Sequence, residues 1–196
     1  AEGHVEPRRV LPKLHARIIA AGGTIKFNSE PEPGDLDGIV IDCRGLAARD
    51  EQSELRGVKG EMILIATSEV TLSRPVRLIH PRWPLYVIPR EDHVFMLGAT
   101  SIEAEDTGVS VRSALELLSA AYTVHPAFAE ARIVEFGSGL RPAFPDNLPR
   151  VAIARDNRIR VNGLYRHGFL VAPALAELTL HYVEQGQIDN EVMRCA

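Results

Sequence analysis

The segment LYVIPREDHVFMLGATS, Leu85 to Ser101, decides the fold. Two runs rich in β-branched and aromatic residues flank Pro89-Arg90-Glu91-Asp92, a connection short enough to predict antiparallel pairing. Alternation puts Tyr86 and Ile88 on one face and Leu85 and Val87 on the other. Upstream, GEMILIAT (Gly60 to Thr67) and RPVRLIHP (Arg74 to Pro81) have the same texture, which predicts an antiparallel sheet beginning near Val58. Downstream, Ser110 is placed to cap a helix whose Val111, Ala114, Leu115, Leu118 and Tyr122 make one apolar face and which ends before His125-Pro126.

On either side the texture is α/β. Pro7 after Glu6 opens a helix to about residue 21, in which Val10, Leu14 and Ile18 recur every four positions and Gly22-Gly23 supplies the stop. TIKF (Thr24 to Phe27) reads as a short strand, and the acidic, Pro/Gly-rich 28–38 as a loop. IVIDCRG (Ile39 to Gly45) reads as a buried parallel strand that delivers its polar end to a ligand site. After the sheet, ARIVEFGSGLRP (Ala131 to Pro142), RVAIA (Arg150 to Ala154) and IRVNGLY (Ile159 to Tyr165) are expected strands, and Pro173 to Val183 the closing helix. The expected class is α+β, an α/β piece with an antiparallel insert and a return to α/β.

Composition narrows function only by exclusion. With 45% hydrophobic and 24% charged residues, the 196-residue chain is an ordinary globular sequence. A net charge of −4 gives no reason to expect nucleic acid or an anionic membrane as partner. Its two cysteines, Cys43 and Cys195, lie far apart, which fits a reducing cytoplasm better than a disulfide framework. The seven histidines show no metal-ligand spacing, no apolar run reaches membrane length, and no apolar signal segment is visible.

Three places invite a chemical reading. GSGLRP (Gly137 to Pro142) contains G-x-G, but no third glycine follows and Pro142 blocks a helix, so it is no phosphate fingerprint. Arg141 beside it, at the end of an apolar strand, is either a solvated cation or a fork aimed at a carboxylate in a cleft. Tyr86 is either core packing with a satisfied hydroxyl or a ligand contact. LYRHGFLVAPALAEL (Leu164 to Leu178) runs from a strand end into a helix, whose free N–H groups and positive dipole end suit an electron-rich ligand atom unless it is a plain turn. Neither Ser101 nor Ser138 sits in a nucleophile elbow, and no catalytic acid, base or nucleophile is assigned.

GHVEPRRVL, DCRGLAARD, VKGEM, LYVIPRED, LGATS, GSGLRPAFPDNLP and GLYRHGFLVAPALAE occur in an order that resembles the glycine oxidase branch of the D-amino-acid-oxidase-like flavoproteins. The resemblance implies non-covalent FAD, oxidation of glycine or a small amino acid to an imine with hydrogen peroxide formed from dioxygen, and supply of the imine to thiamin thiazole synthesis. It also implies a homo-oligomer. By this likeness Arg141 matches the substrate-carboxylate arginine, Tyr86 the tyrosine that assists it, and Arg166 a basic residue near the substrate. His167, Gly168, Phe169, Leu170 and Val171 match backbone facing the flavin pyrimidine edge, with a helix expected from about Ala172. Val5, Cys43, Arg44 and Gly45 lie in segments that pack near the FAD. Pro84 stands where some relatives carry a histidine, so no base is expected there.

By the same likeness, residues 1–57 form the second part of an FAD-binding domain, 58–136 an antiparallel substrate domain, and 137–196 the return to the FAD domain. The family's opening strand and G-x-G-x-x-G turn have no match, so the chain is expected to correspond to the later part of such an enzyme and, alone, to bind FAD weakly and leave Ile39, Ile41 and Leu170 uncovered. The alternatives are a relative acting on sarcosine or a D-amino acid, and a cofactor-free fragment that catalyses nothing.

Overall fold

A computed structural model describes residues 3–31, 33–154, 158–186 and 192–195, arranged as two compact units. The first comprises residues 45–148 with 163–166, and the second 3–44, 149–162 and 167–196.

The first unit is built on a five-stranded antiparallel sheet. Its strands are β2 (Arg56–Ala66), β3 (Val76–Leu78), β4 (Leu85–Pro89), β5 (Val94–Gly98) and β6 (Arg132–Ala143), in the order β3-β4-β5-β2-β6. The hairpin read from Leu85 to Ser101 is present, with Val87 opposite Leu97 and Pro89 opposite Phe95. One face carries Ile63, Ile65, Leu85, Val87, Phe95 and Leu97, all buried, against Leu117, Ala120 and Ala121 of α2 (Val111–Val124). Each such side chain contributes about 1.5–3 kcal/mol by leaving water. Phe128 closes the cluster, its ring edge-on to Phe95 at 5.2 Å.

Ser110 caps α2 as expected, its Oγ accepting from the Ser113 N–H at 3.1 Å. The buried stripe of α2 is a different one from that expected: Val111, Leu115 and Tyr122 are exposed, while Ser113, Leu117, Ala120 and Ala121 are buried, with Ala114 and Leu118 packed at the margin. Both stripes satisfy helical spacing. The choice follows from Glu61, which lies on the core-facing side of β2, is fully buried, and bonds the backbone N–H of Ser110 at 2.9 Å, turning the helix about its cap.

The second unit holds the helices α1 (Pro7–Ala20) and α3 (Gly168–Gln185) and a four-stranded sheet. Its strands β1 (Val40–Asp42), β7 (Arg150–Ile153), β8 (Arg158–Asn162) and β9 (Met193–Cys195) run in the order β1-β8-β7-β9. β1 lies parallel to β8, and β7 antiparallel to it. Three expectations need correction. Thr24 to Phe27 pairs with no described residue and forms no strand, since a short run without a ladder partner has nothing to hold it extended. β1 is parallel but not buried as its apolar run suggests: Ile39 just before it and Ile41 within it are 57% and 43% exposed, two of the positions expected to be uncovered in this chain by itself, and only Asp42 is enclosed. The last helix begins at Gly168 and carries Pro173 inside it, as α1 carries Pro12; each proline forfeits one backbone bond without ending the helix. No described helix is long and apolar enough to cross a membrane.

Candidate substrate clamp and cofactor-facing turn

Away from α2, the face of the five-stranded sheet is open and rich in glycine. Directly opposite residues of an antiparallel pair share a face, so Arg141, opposite Val58, stands with Tyr86 and Met62, both opposite Gly98. The Arg141 guanidinium lies flat over Gly60, where an added Cβ would collide with Cζ and both terminal nitrogens. Tyr86 lies in the same way over Gly98, whose Cβ would come within 2.9 Å of Cε2 and 3.2 Å of the hydroxyl. Glycine in the interior of a strand weakens it and marks a close approach. Here the approach is by the two side chains singled out in the sequence. Tyr86 therefore belongs to the open face, and Leu85 and Val87 to the core.

Arg141 is half-buried, and among the described residues it has no carboxylate partner. Its Nη1 donates to the carbonyl of Thr100 at 3.1 Å. Other arginines of the chain are matched: Arg44 with Asp42 at 2.9 Å, Arg56 with Glu103 at 3.4 Å, and Arg49 with Glu105. Burial pushes the Arg141 guanidinium below its usual pKa, the Tyr86 hydroxyl opposes that shift, Arg166 adds to it, and Tyr165 opposes it. So Arg141, Tyr86 and Arg166 are brought within electrostatic range of one another. Arg166 is exposed, in the 3-10 turn Tyr165–His167, and shares with Tyr86 the wall of a small recess.

Thr100 links this arginine to the buried network behind the sheet. Its hydroxyl approaches Glu61 Oε2 at 3.2 Å and receives the Glu61 backbone N–H at 2.9 Å. Glu61 Oε1 also faces Lys59 Nζ at 3.1 Å, and Lys59 reaches Asp106 at 2.6 Å. Burial raises the Glu61 pKa, but the bonds from Ser113, Ser110, Lys59 and Thr100 outweigh it and hold the carboxyl below its usual range. Gly60, Glu61, Thr100 and Tyr165, whose hydroxyl meets Ser101 Oγ at 2.9 Å, were not singled out from the sequence. The one available signal was a glycine inside the strand run VKGEM.

The residues assigned to a cofactor come from separate places. Val5 precedes α1 and is exposed. Cys43 follows β1, also exposed, its thiol pushed up in pKa by burial of the sulfur and then by Asp42. Arg44 is folded back on Asp42 through its Nε, Nη2 and backbone N–H. Gly45 turns the chain at φ +61°. His167 is the N-cap of α3 and residues 168–171 are its first turn, rather than backbone ahead of a helix at Ala172. That turn has no side-chain cap and no acidic residue. Uncapped N–H groups at a positive dipole end are donors that an electron-rich ligand atom can accept from.

A family model described as DAO, FAD dependent oxidoreductase, matches residues 1–181. The chain belongs to that family. It is 50% identical over 189 residues to the putative thiamine biosynthesis oxidoreductase ThiO of Rhizobium etli, covering 95% of this chain and 58% of that protein. It is 35% identical over 124 residues to the glycine oxidase of Pseudomonas putida, covering 62% of this chain and 33% of that protein. The chain thus spans only part of the curated relatives it matches. Among solved structures, iminodiacetate oxidase (IdaA) from Chelativorans sp. BNC1 aligns with a TM-score of 0.72 at 24% identity, over 92% of this chain and 55% of that one. Glycine oxidase from Geobacillus kaustophilus aligns with a TM-score of 0.66 at 24% identity, over 76% and 42%. These likenesses show the α+β fold.

Proposed function

We propose that this chain is the substrate-holding part of an FAD-dependent amine oxidase that takes glycine or a small amino acid to its imine, with dioxygen reduced to hydrogen peroxide, in the service of thiamin thiazole synthesis. The observation that carries the reading is Arg141: half-buried on an open sheet face and without an acidic partner among the described residues. A carboxylate completes it. Arg141 binds the substrate carboxylate through the N–H groups that Thr100 leaves free, and the Tyr86 hydroxyl donates to the same group. With the carboxylate fixed at two points, the amine and Cα are held in one orientation, which is the protein's largest contribution to a reaction that needs no protein nucleophile. FAD, when bound, supplies the two-electron chemistry. The first turn of α3, from His167 to Val171, and the segment from Cys43 to Gly45 are the residues that would hold it without a covalent bond.

The test is peroxide release by the FAD-holding protein that contains this chain. Glycine is expected to be turned over more efficiently than sarcosine or D-alanine. A preference for sarcosine or D-alanine, or no turnover of any amine, overturns the assignment of glycine. Assembly into a homo-oligomer belongs to the same reading and is supported by Ile133, Val134 and Phe136, exposed on the strand at one border of the sheet.

A further inference from the structure

We infer that Tyr165 is a positioning residue of the substrate clamp, acting through Ser101 on the Thr100 carbonyl that receives Arg141. The inference rests on the proposed carboxylate-binding role of Arg141. That carbonyl belongs to the Thr100–Ser101 peptide, and its direction is set by what holds the residues at the two ends of the peptide. At one end Thr100 is tied to Glu61: its N–H donates to the Glu61 carbonyl at 3.2 Å, and its hydroxyl receives the Glu61 N–H and approaches the carboxylate. At the other end Ser101 is exposed and its Oγ meets the Tyr165 hydroxyl at 2.9 Å, the one hydrogen bond of that side chain among the described residues. Without Tyr165 the acceptor peptide is anchored on one side alone.

The backbone brings the phenol to this place at a cost. Tyr165 adopts φ +48°, in the left-handed region that a bulky side chain seldom enters. Gly163, two residues earlier, lies at φ +77°, with the Phe144 ring where its Cβ would stand. Two such residues in three turn the chain sharply after β8 and carry the ring to Ser101. A turn with no part in the site is made more cheaply with glycine or asparagine at the left-handed position. A strained residue persists only where its surroundings hold it, and such residues gather at ligand sites. Tyr165 is half-buried, bonded at its far end, and within electrostatic range of the Arg141 guanidinium, whose fall in pKa it opposes.

The test uses the FAD-holding protein that contains this chain. Acetate, the smallest carboxylate without a reactive amine, is titrated by its perturbation of the flavin absorbance, and glycine turnover is followed by peroxide release. Tyr165→Phe and Ser101→Ala are each expected to weaken acetate binding and raise KM for glycine about three- to tenfold, with kcat altered less than about twofold. The double variant is expected to be no worse than either single one, because both cut the same tie. In the Arg141→Ala background, Tyr165→Phe is expected to have no further effect, whereas a contact that merely holds the turn in place acts equally in both backgrounds. Unchanged acetate affinity and KM in Tyr165→Phe, additive single effects, a fall in kcat as large as the rise in KM, or a further loss in the Arg141→Ala background each overturns the inference while the carboxylate reading stands. Indifference to Ser101→Ala overturns the route through Ser101. Acetate affinity unchanged in Arg141→Ala overturns both the inference and the reading beneath it.

Discussion

Arg141 is oriented by the Thr100 carbonyl, which accepts from its Nη1, and by the space left above Gly60. Removing its fork, Arg141→Ala, is expected to weaken apparent glycine affinity by about 1.5–3 kcal/mol, read as a rise in KM of roughly tenfold or more. Lysine is expected to restore only part, because a point charge cannot reproduce two parallel bonds; full rescue by Arg141→Lys contradicts the clamp. Gly60→Ala is the sharper test, since its Cβ claims the space of the guanidinium. It is expected to raise KM like Arg141→Ala while circular dichroism stays unchanged, and an unaltered KM is inconsistent with the geometry. The face shared by Tyr86 and Ile88 was legible because strand alternation is local, whereas roles for Arg141 and Tyr86 were expected from the resemblance alone. Gly60, Glu61 and Thr100 were not legible, because their meaning depends on partners far along the chain: Glu61 and Thr100 are 39 residues apart, Thr100 and Arg141 41.

At the scale of elements, the strands of the antiparallel sheet were readable from composition and turn residues, whereas the phase of α2 was set by the buried carboxylate beneath it. Ser110→Ala removes the cap and is expected to cost about 1 kcal/mol, seen as a lower melting temperature. Acid should loosen the same region. Glu105 accepts from Arg49 and from the Gly57 N–H, and these bonds lower its pKa from the usual 4.5 to about 2. Glu61 is likewise held low. A carboxylate with a depressed folded-state pKa contributes stability that is complete above its unfolded value and is lost as pH falls through the folded one. Melting temperature is therefore expected to drop between about pH 4.5 and 2. Glu105→Gln is expected to flatten part of that acid limb, and an unchanged limb removes Glu105 from the account. The start of α3 was misread because a proline was taken for a helix beginning, and β9 is too short to carry a pattern.

For the molecule as a whole, no G-x-G-x-x-G turn occurs in the 196 residues, and the pyrophosphate of a dinucleotide ordinarily rests on such a turn. Residues 1–196 by themselves are therefore expected to bind FAD more weakly than micromolar in a fluorescence titration. Tight binding by a monomer of this mass means that the α3 turn and the Cys43 to Gly45 segment suffice. The change of texture near Val58 was legible, but pairings such as β1 with β8, which join distant segments, were not. The adjacency of Gly60 and Glu61 has a consequence for altering this protein. One residue makes room for the arginine, and the next, through Thr100, steadies it while anchoring α2, so substitutions at this step of β2 move ligand preference and heat tolerance together. A directed-evolution campaign selecting both traits will find them coupled there and separable at the rim of the face, where Arg166 stands exposed.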